Sequence, residues 1–211
     1  MKRAGGTRLA LVGVLALAAC GSVEAVNYGA ALPSYGADDY EKVHDRWTRH
    51  AHATQGVRKG LDTVLDAHIT LVGDDFRAAY LAKVSAMRAY TTQQRAVLAT
   101  ELSQDGLNYL DLIVDITSSS YEWNDLASKT SVWTLTLTDD GGHNVGGPDI
   151  VQVEDRPVAL AELFPPVTPF TRHWRVRFKR KLPDGGLLAG PGTRSITLRI
   201  AGVLANEAVT W

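Results

Sequence analysis

Hydrophobic and polar residues alternate along several short segments of this chain, most of them in its second half. In residues 61–72, for example, Leu65 and Ala67 fall on one face, while Asp66 and His68 fall on the other. A period of two is typical of a half-buried strand. Together with less regular apolar runs at residues 150–153 and 203–211, the alternation predicts about seven strands. They are residues 61–72, 109–116, 132–138, 150–153, 170–179, 196–200 and 203–211.

Two other segments have apolar residues at the three-to-four-residue spacing of an amphipathic helix. Residues 39–54 predict a short N-terminal helix, and residues 74–103 predict one long helix after the first strand. Thr91 and Thr92 are weak helix formers inside the long segment and form a candidate break.

These elements predict an α+β fold class. The strands alternate in facing and are joined by short turns, which favours a mostly antiparallel β-sandwich. The long helix is an insertion, and the short helix precedes the sheets. No strand–helix–strand repeat occurs in the sequence, so a parallel α/β fold is not expected.

The first residues have the pattern of an export signal. Lys2, Arg3 and Arg8 are basic, and residues 9–19 are all apolar or small. A helix needs about 20 apolar residues to span a bilayer, so this run is too short for a transmembrane segment. It fits the hydrophobic region of a signal peptide.

The run ends in Leu17-Ala18-Ala19-Cys20. This sequence resembles the lipobox of bacterial lipoproteins. The resemblance implies that residues 1–19 are removed and that Cys20 carries the lipid anchor. By the sorting rule of Gram-negative lipoproteins, Gly21 after the cysteine implies the outer membrane. Residues 20–37 then form the lipidated start and a flexible tether, and residues 38–211 form a single domain.

Composition excludes several functional classes. The chain has 211 residues, with 22 basic and 23 acidic side chains, so a nucleic-acid partner is not expected. Its 1 cysteine rules out an intrachain disulfide and a cysteine-rich zinc site. Gly-x-Ser-x-Gly, phosphate-binding-loop and His-Glu-x-x-His motifs are all missing from the sequence.

One predicted strand carries a basic face. His173, Arg175, Arg177 and Lys179 alternate with apolar residues and are the candidate binding face. This face could contact an acidic envelope protein or an anionic envelope polymer. The alternative is an outer strand whose solvated charges prevent edge pairing.

The histidines do not have a metal-site spacing in the predicted elements. His44, His50 and His52 lie six and two residues apart, whereas a metal-binding pair on a helix is separated by three or four. Asp66 and His68 share a strand face, which is the minimum for a metal ligand pair or an acid–base pair. No metal and no other cofactor are expected.

A second resemblance concerns residues 38–211, which contain these motifs: Trp47-Thr48-Arg49, Phe76-Arg77-Ala78-Ala79-Tyr80, Asn124-Asp125-Leu126, Trp133-Thr134-Leu135, Leu163-Phe164-Pro165, Phe170-Thr171-Arg172 and Val176-Arg177-Phe178. In them the chain resembles uncharacterised lipoproteins of Gram-negative bacteria. That family has no known activity, so the resemblance implies no catalytic residue.

The sequence therefore predicts an outer-membrane lipoprotein, facing the periplasm or the cell surface, that acts without catalysis in binding, scaffolding or envelope assembly. Its expected partners are the membrane, through the lipid on Cys20, and an envelope protein or anionic polymer. Two alternatives stay open. One is a periplasmic hydrolase that uses Asp66, His68 and His173, and the other is a carrier of a small ligand or a metal.

Overall fold

A computed structural model describes residues 32–55, 62–154, 157–165 and 168–211. The predicted signal peptide, Cys20 and most of the predicted tether lie outside the described residues. At the end of the predicted tether, the Tyr35 hydroxyl donates a hydrogen bond to Asp75 at 3.1 Å. No helix in the described part of the chain is both long and apolar enough to span a bilayer.

The described elements begin with a 3-10 turn at Ala37–Asp39. The helices are α1 (Tyr40–Trp47), α2 (Asp74–Met87), α3 (Thr92–Asn108) and α4 (Pro157–Leu163). The strands are β1 (Thr48–Gln55), β2 (Asp62–Val72), β3 (Tyr109–Thr117), β4 (Trp133–Asp139), β5 (Asn144–Gly146), β6 (Asp149–Gln152), β7 (Arg172–Lys179), β8 (Ile196–Gly202) and β9 (Asn206–Thr210).

The strands form two antiparallel sheets. One has five strands in the order β1-β2-β3-β7-β6, and the other has four in the order β5-β4-β8-β9. The predicted mixed fold with mostly antiparallel strands is confirmed. The described residues contain nine strands rather than about seven. The two additional strands are β1, which was predicted as helix, and β5, the short return arm after the turn that follows β4.

The predicted helix at residues 39–54 is wrong in its second half. Helix α1 ends at Trp47, and the chain continues directly as β1, which pairs with β2 from Thr48↔Thr70 to Gln55↔Asp62. Ala51 fits the helical spacing, but it is buried as a strand residue. Pairing with a distant strand has overridden the local periodicity, as tertiary contacts commonly do.

The predicted long helix is two helices. Helix α2 ends at Met87, and Ala89 has a positive φ of 49°, which no continuous right-handed helix allows. Thr91 then caps α3, because its hydroxyl accepts a hydrogen bond from the Gln94 amide at 3.2 Å. The candidate break at Thr91 is therefore where the second helix begins, and α3 continues through Gly106 to Asn108.

Both sheets contribute to one apolar core. Its members include Leu65, Ile69, Leu112, Trp174 and Val176 from the five-stranded sheet, together with Leu135, Leu137, Leu198 and Ile200 from the other. Trp174 was predicted to lie in the core and is 3% exposed. The opposite face of the five-stranded sheet is polar in its central strands, and α2 and α3 reach it through charged side chains. This polar face carries the candidate site.

Candidate metal centre

A row of four polar side chains crosses the five-stranded sheet. His50 in β1 pairs with His68 in β2, His68 pairs with Asp115 in β3, and Asp115 pairs with His173 in β7. Side chains of directly paired residues project from the same face of a sheet, about 5 Å apart. The row therefore runs from the edge strand into the interior.

At the edge of the sheet, His50, Asp66 and His68 form a compact cluster. Each offers one ligand atom, and the three atoms lie within 4.8 Å of one another. Nε2 of His50 is 2.5 Å from Oδ1 of Asp66, and the rings of His50 and His68 stack with their centroids 4.6 Å apart. His52 lies beside the cluster, with Nδ1 3.9 Å from the same carboxylate oxygen.

The antiparallel register of β1 and β2 produces this cluster. His50 faces His68 directly and reaches Asp66 diagonally, because Asp66 pairs with His52 two residues further along β1. The side chains of His50 and Asp66 are 50% and 39% exposed, so the cluster is open to solvent.

The ligand set has the chemistry of a transition-metal site. Imidazole nitrogen and carboxylate oxygen bind zinc and other first-row divalent ions. Three protein ligands would leave a fourth position open for water or another molecule. Burial lowers the pKa of His68, and the neighbouring His50 lowers it further, which favours the neutral ring.

The inner end of the row is buried. Nδ1 of His173 lies 2.5 Å from Oδ1 of Asp115, and the two side chains are 7% and 3% exposed. Burial raises the pKa of Asp115, although the hydrogen bond with His173 acts in the opposite direction. Nε2 of His173 is buried with no hydrogen-bond partner among the described residues.

The predicted binding face is partly covered. His173, Arg175, Arg177 and Lys179 do share one face of β7, but His173 is buried and only Lys179 is exposed. Arg175 and Arg177 both pair with Asp105 of α3 and with Asp111 of β3. Strand β7 is internal, between β3 and β6, and not an outer strand. Binding at this face stays a prediction.

The residues of the predicted hydrolase site are only partly brought together. Asp66 and His68 belong to the edge cluster. His173 lies two strands away from His68, about 10 Å at the usual strand separation. His173 is not among the three residues whose ligand atoms lie within 4.8 Å of one another.

Sequence reasoning missed His50 as a partner of Asp66 and His68. It assigned His50 to a helix, where spacings of six and two do not fit a shared ion. The relevant signal is His50-x-His52 followed by Asp66-x-His68, because two such segments in an antiparallel pair place all four side chains on one face.

No protein-family model, no curated protein and no solved structure matches this chain. Its function is therefore inferred from its own residues.

Proposed function

We propose that this protein is a lipid-anchored protein of the bacterial outer membrane that binds one divalent first-row metal ion through His50, Asp66 and His68. The observation that carries the proposal is the 4.8 Å limit on the mutual separation of the three ligand atoms. The lipobox-like sequence ending at Cys20 supports the lipid anchor, and Gly21 after it supports the outer membrane as the location. We also interpret the two sheets, which share one apolar core, as a β-sandwich.

The choice of metal follows from the donor atoms. Calcium and magnesium bind almost entirely to oxygen, so a site with two imidazoles does not suit them. Two nitrogens and one carboxylate oxygen suit zinc, nickel or copper, and zinc in particular is often bound by a mixture of histidine and carboxylate.

The role proposed for the ion is binding or carriage without catalysis. The edge cluster is open to solvent, so an ion could enter and leave without opening the core. The buried Asp115–His173 pair is not among the three residues whose ligand atoms lie within 4.8 Å of one another, so we leave it out of the proposed metal-binding set.

Equilibrium dialysis against zinc tests the binding. The full chain with Cys20→Ala is suitable, because this change removes the only thiol that could compete for the ion. We expect one ion per chain, with affinity at least about tenfold lower in His68→Gln, since even residues that only support a ligand change metal affinity by roughly 10–100-fold.

His143→Gln is the matched control, because His143 lies in the turn between β4 and β5, outside the cluster. Its affinity for zinc should equal that of the parent. Equal losses in both variants would indicate non-specific histidine binding, and retention of no zinc by the parent chain would refute the proposed site.

The anchor has a separate test. Cells that express the full chain should incorporate labelled palmitate into it, and Cys20→Ala should abolish the label and release the protein from membranes. If the protein that retains Cys20 is not labelled, lipidation is excluded, and the proposal of a metal site is unaffected by that result.

A further inference from the structure

A cavity of about 270 Å³ lies on the polar side of the five-stranded sheet, between the sheet, α2 and α3. Helix α3 is 17 residues long, yet Gly106 is the only residue of this helix that is buried. The helix therefore leaves a gap over the sheet. Engineered apolar cavities of about 150 Å³ bind benzene, so this one has room for a small organic molecule.

The walls of the cavity are mainly apolar. Phe76, Tyr80 and Phe164 form an aromatic group, with ring centroids 6.2 to 6.5 Å apart. Leu98 of α3 and Ile113 of β3 complete the apolar lining around them. Aromatic rings attract cations as well as apolar groups, because their faces carry partial negative charge.

The charged groups around the cavity are largely neutralised. Arg77, Arg175 and Arg177 are paired with an equal number of carboxylates, those of Asp74, Asp105 and Asp111.

Glu101, which lines the cavity from α3, makes no ion pair in the described part of the chain. The cavity therefore has one uncompensated negative charge beside an aromatic and aliphatic surface.

We propose that this cavity binds a small organic cation, with its apolar body against Phe76, Tyr80 and Phe164 and its ammonium group near Glu101. The site is separate from the metal cluster, since the two share no residue. If the test of zinc binding fails, the proposed cation site is not contradicted, and the reverse also holds.

Three probes that each contain an unbranched chain of six carbons test this proposal: hexyltrimethylammonium, hexanoate and hexanol. Each is titrated into the full chain carrying Cys20→Ala, and binding is measured by calorimetry and by saturation-transfer NMR. We expect saturable binding of hexyltrimethylammonium that is tighter than that of hexanol, and the weakest binding from hexanoate.

Two variants locate the binding. Glu101→Gln should weaken binding of the ammonium probe about two- to fivefold and leave hexanol unchanged, as expected for one solvent-exposed charge contact. Leu98→Trp should fill the gap and abolish saturable binding of both probes. Glu122→Gln removes an exposed carboxylate outside the cavity and should change neither.

Thermal unfolding of each variant shows whether it is folded. The proposal is overturned if no probe binds the parent chain, if hexanoate binds tighter than the ammonium probe, or if Glu122→Gln weakens binding as much as Glu101→Gln.

Discussion

Asp111 is the residue on which the helix–sheet contacts of the polar face converge. It is fully buried, and it accepts hydrogen bonds from Arg175 Nη2 at 2.6 Å and from Arg177 Nε at 3.1 Å. The buried Arg77 of α2 lies 3.9 Å from the same carboxylate. Without the Asp111 carboxylate, Arg77, Arg175 and Arg177 would each lose a negatively charged partner.

We therefore expect Asp111→Ala to lower the free energy of unfolding by about 3–5 kcal/mol, the usual cost of breaking a buried ion pair. Asp105→Ala removes a second partner of the same arginines, but the Asp105 side chain is 32% exposed, so its loss should cost about 1 kcal/mol. Urea unfolding measures both. Equal costs would mean that burial does not determine the strength of this network.

The sequence predicted the facing of these arginines but not their partners. Alternation along residues 170–179 is sufficient to place Arg175 and Arg177 on one face of a strand. Asp105 lies in a helix and Asp111 in another strand, and only the tertiary arrangement brings the two carboxylates to that face. The same reason explains why His50 was not matched with His68.

The pair Asp139–His143 at the β4–β5 turn predicts a pH dependence. Burial alone would raise the pKa of Asp139, but hydrogen bonds from the His143 ring and from the Ala189 and His143 amides lower it below 3.8. The hydrogen bond with Asp139 raises the pKa of His143 above 6.5.

The lowered pKa of Asp139 stabilises the fold above pH 3.8, and this contribution is lost as the pH falls through the folded-state pKa. The raised pKa of His143 stabilises below pH 6.5, and this contribution is lost as the pH rises through its folded-state value. Asp139→Asn should lower the free energy of unfolding by about 1–3 kcal/mol. This loss should be largest between pH 3.8 and pH 6.5, where both contributions are present. Urea unfolding at several pH values checks this, and a deficit constant from pH 2 to 9 would contradict it.

Among the elements, α3 depends on one close contact near its C-terminal end. A Cβ on Gly106 would lie 2.8 Å from Nη1 of Arg77, which is fully buried. The Gly106 carbonyl also accepts a hydrogen bond from Arg180 at 2.9 Å. A side chain at this position would therefore have to displace the buried guanidinium of Arg77.

Gly106→Ala should therefore destabilise the protein by about 1–3 kcal/mol through overpacking, although alanine is the better helix former by about 1 kcal/mol. Ala96→Gly, at an exposed position of the same helix, should cost about 1 kcal/mol from propensity alone. Thermal unfolding compares the two. A stabilising Gly106→Ala would show that α3 does not dock as described.

Strands in which apolar and polar residues alternate regularly were predicted correctly, whereas β1, in which the alternation is weak, was predicted as helix. Strands β2, β3, β4 and β7 follow from alternation of apolar and polar residues. Residues 48–55 contain only two apolar residues, both alanines, so local patterning is weak there. Their strand conformation comes from pairing with β2, which a local pattern does not encode.

At the scale of the whole molecule, two antiparallel sheets share an apolar core and leave one polar face partly covered by helices. Trp211 contributes to this arrangement, because its indole lies in the core and donates a hydrogen bond to the Trp47 carbonyl at 2.7 Å. The polar face holds the edge cluster, the buried Asp115–His173 pair and the cavity beneath α3. The amino-acid composition alone does not indicate that these groups lie on one face of the sheet.

The measurement that tests the central claim most directly is NMR of the histidine side chains during a zinc titration. The chain contains 6 histidines, so all their ring resonances can be followed in one selectively labelled sample. We expect one equivalent of zinc to shift the ring resonances of His50 and His68 and to leave those of His143 unchanged. A shift of His143 alone, or no shift at one equivalent, would contradict a metal centre at the β1–β2 edge.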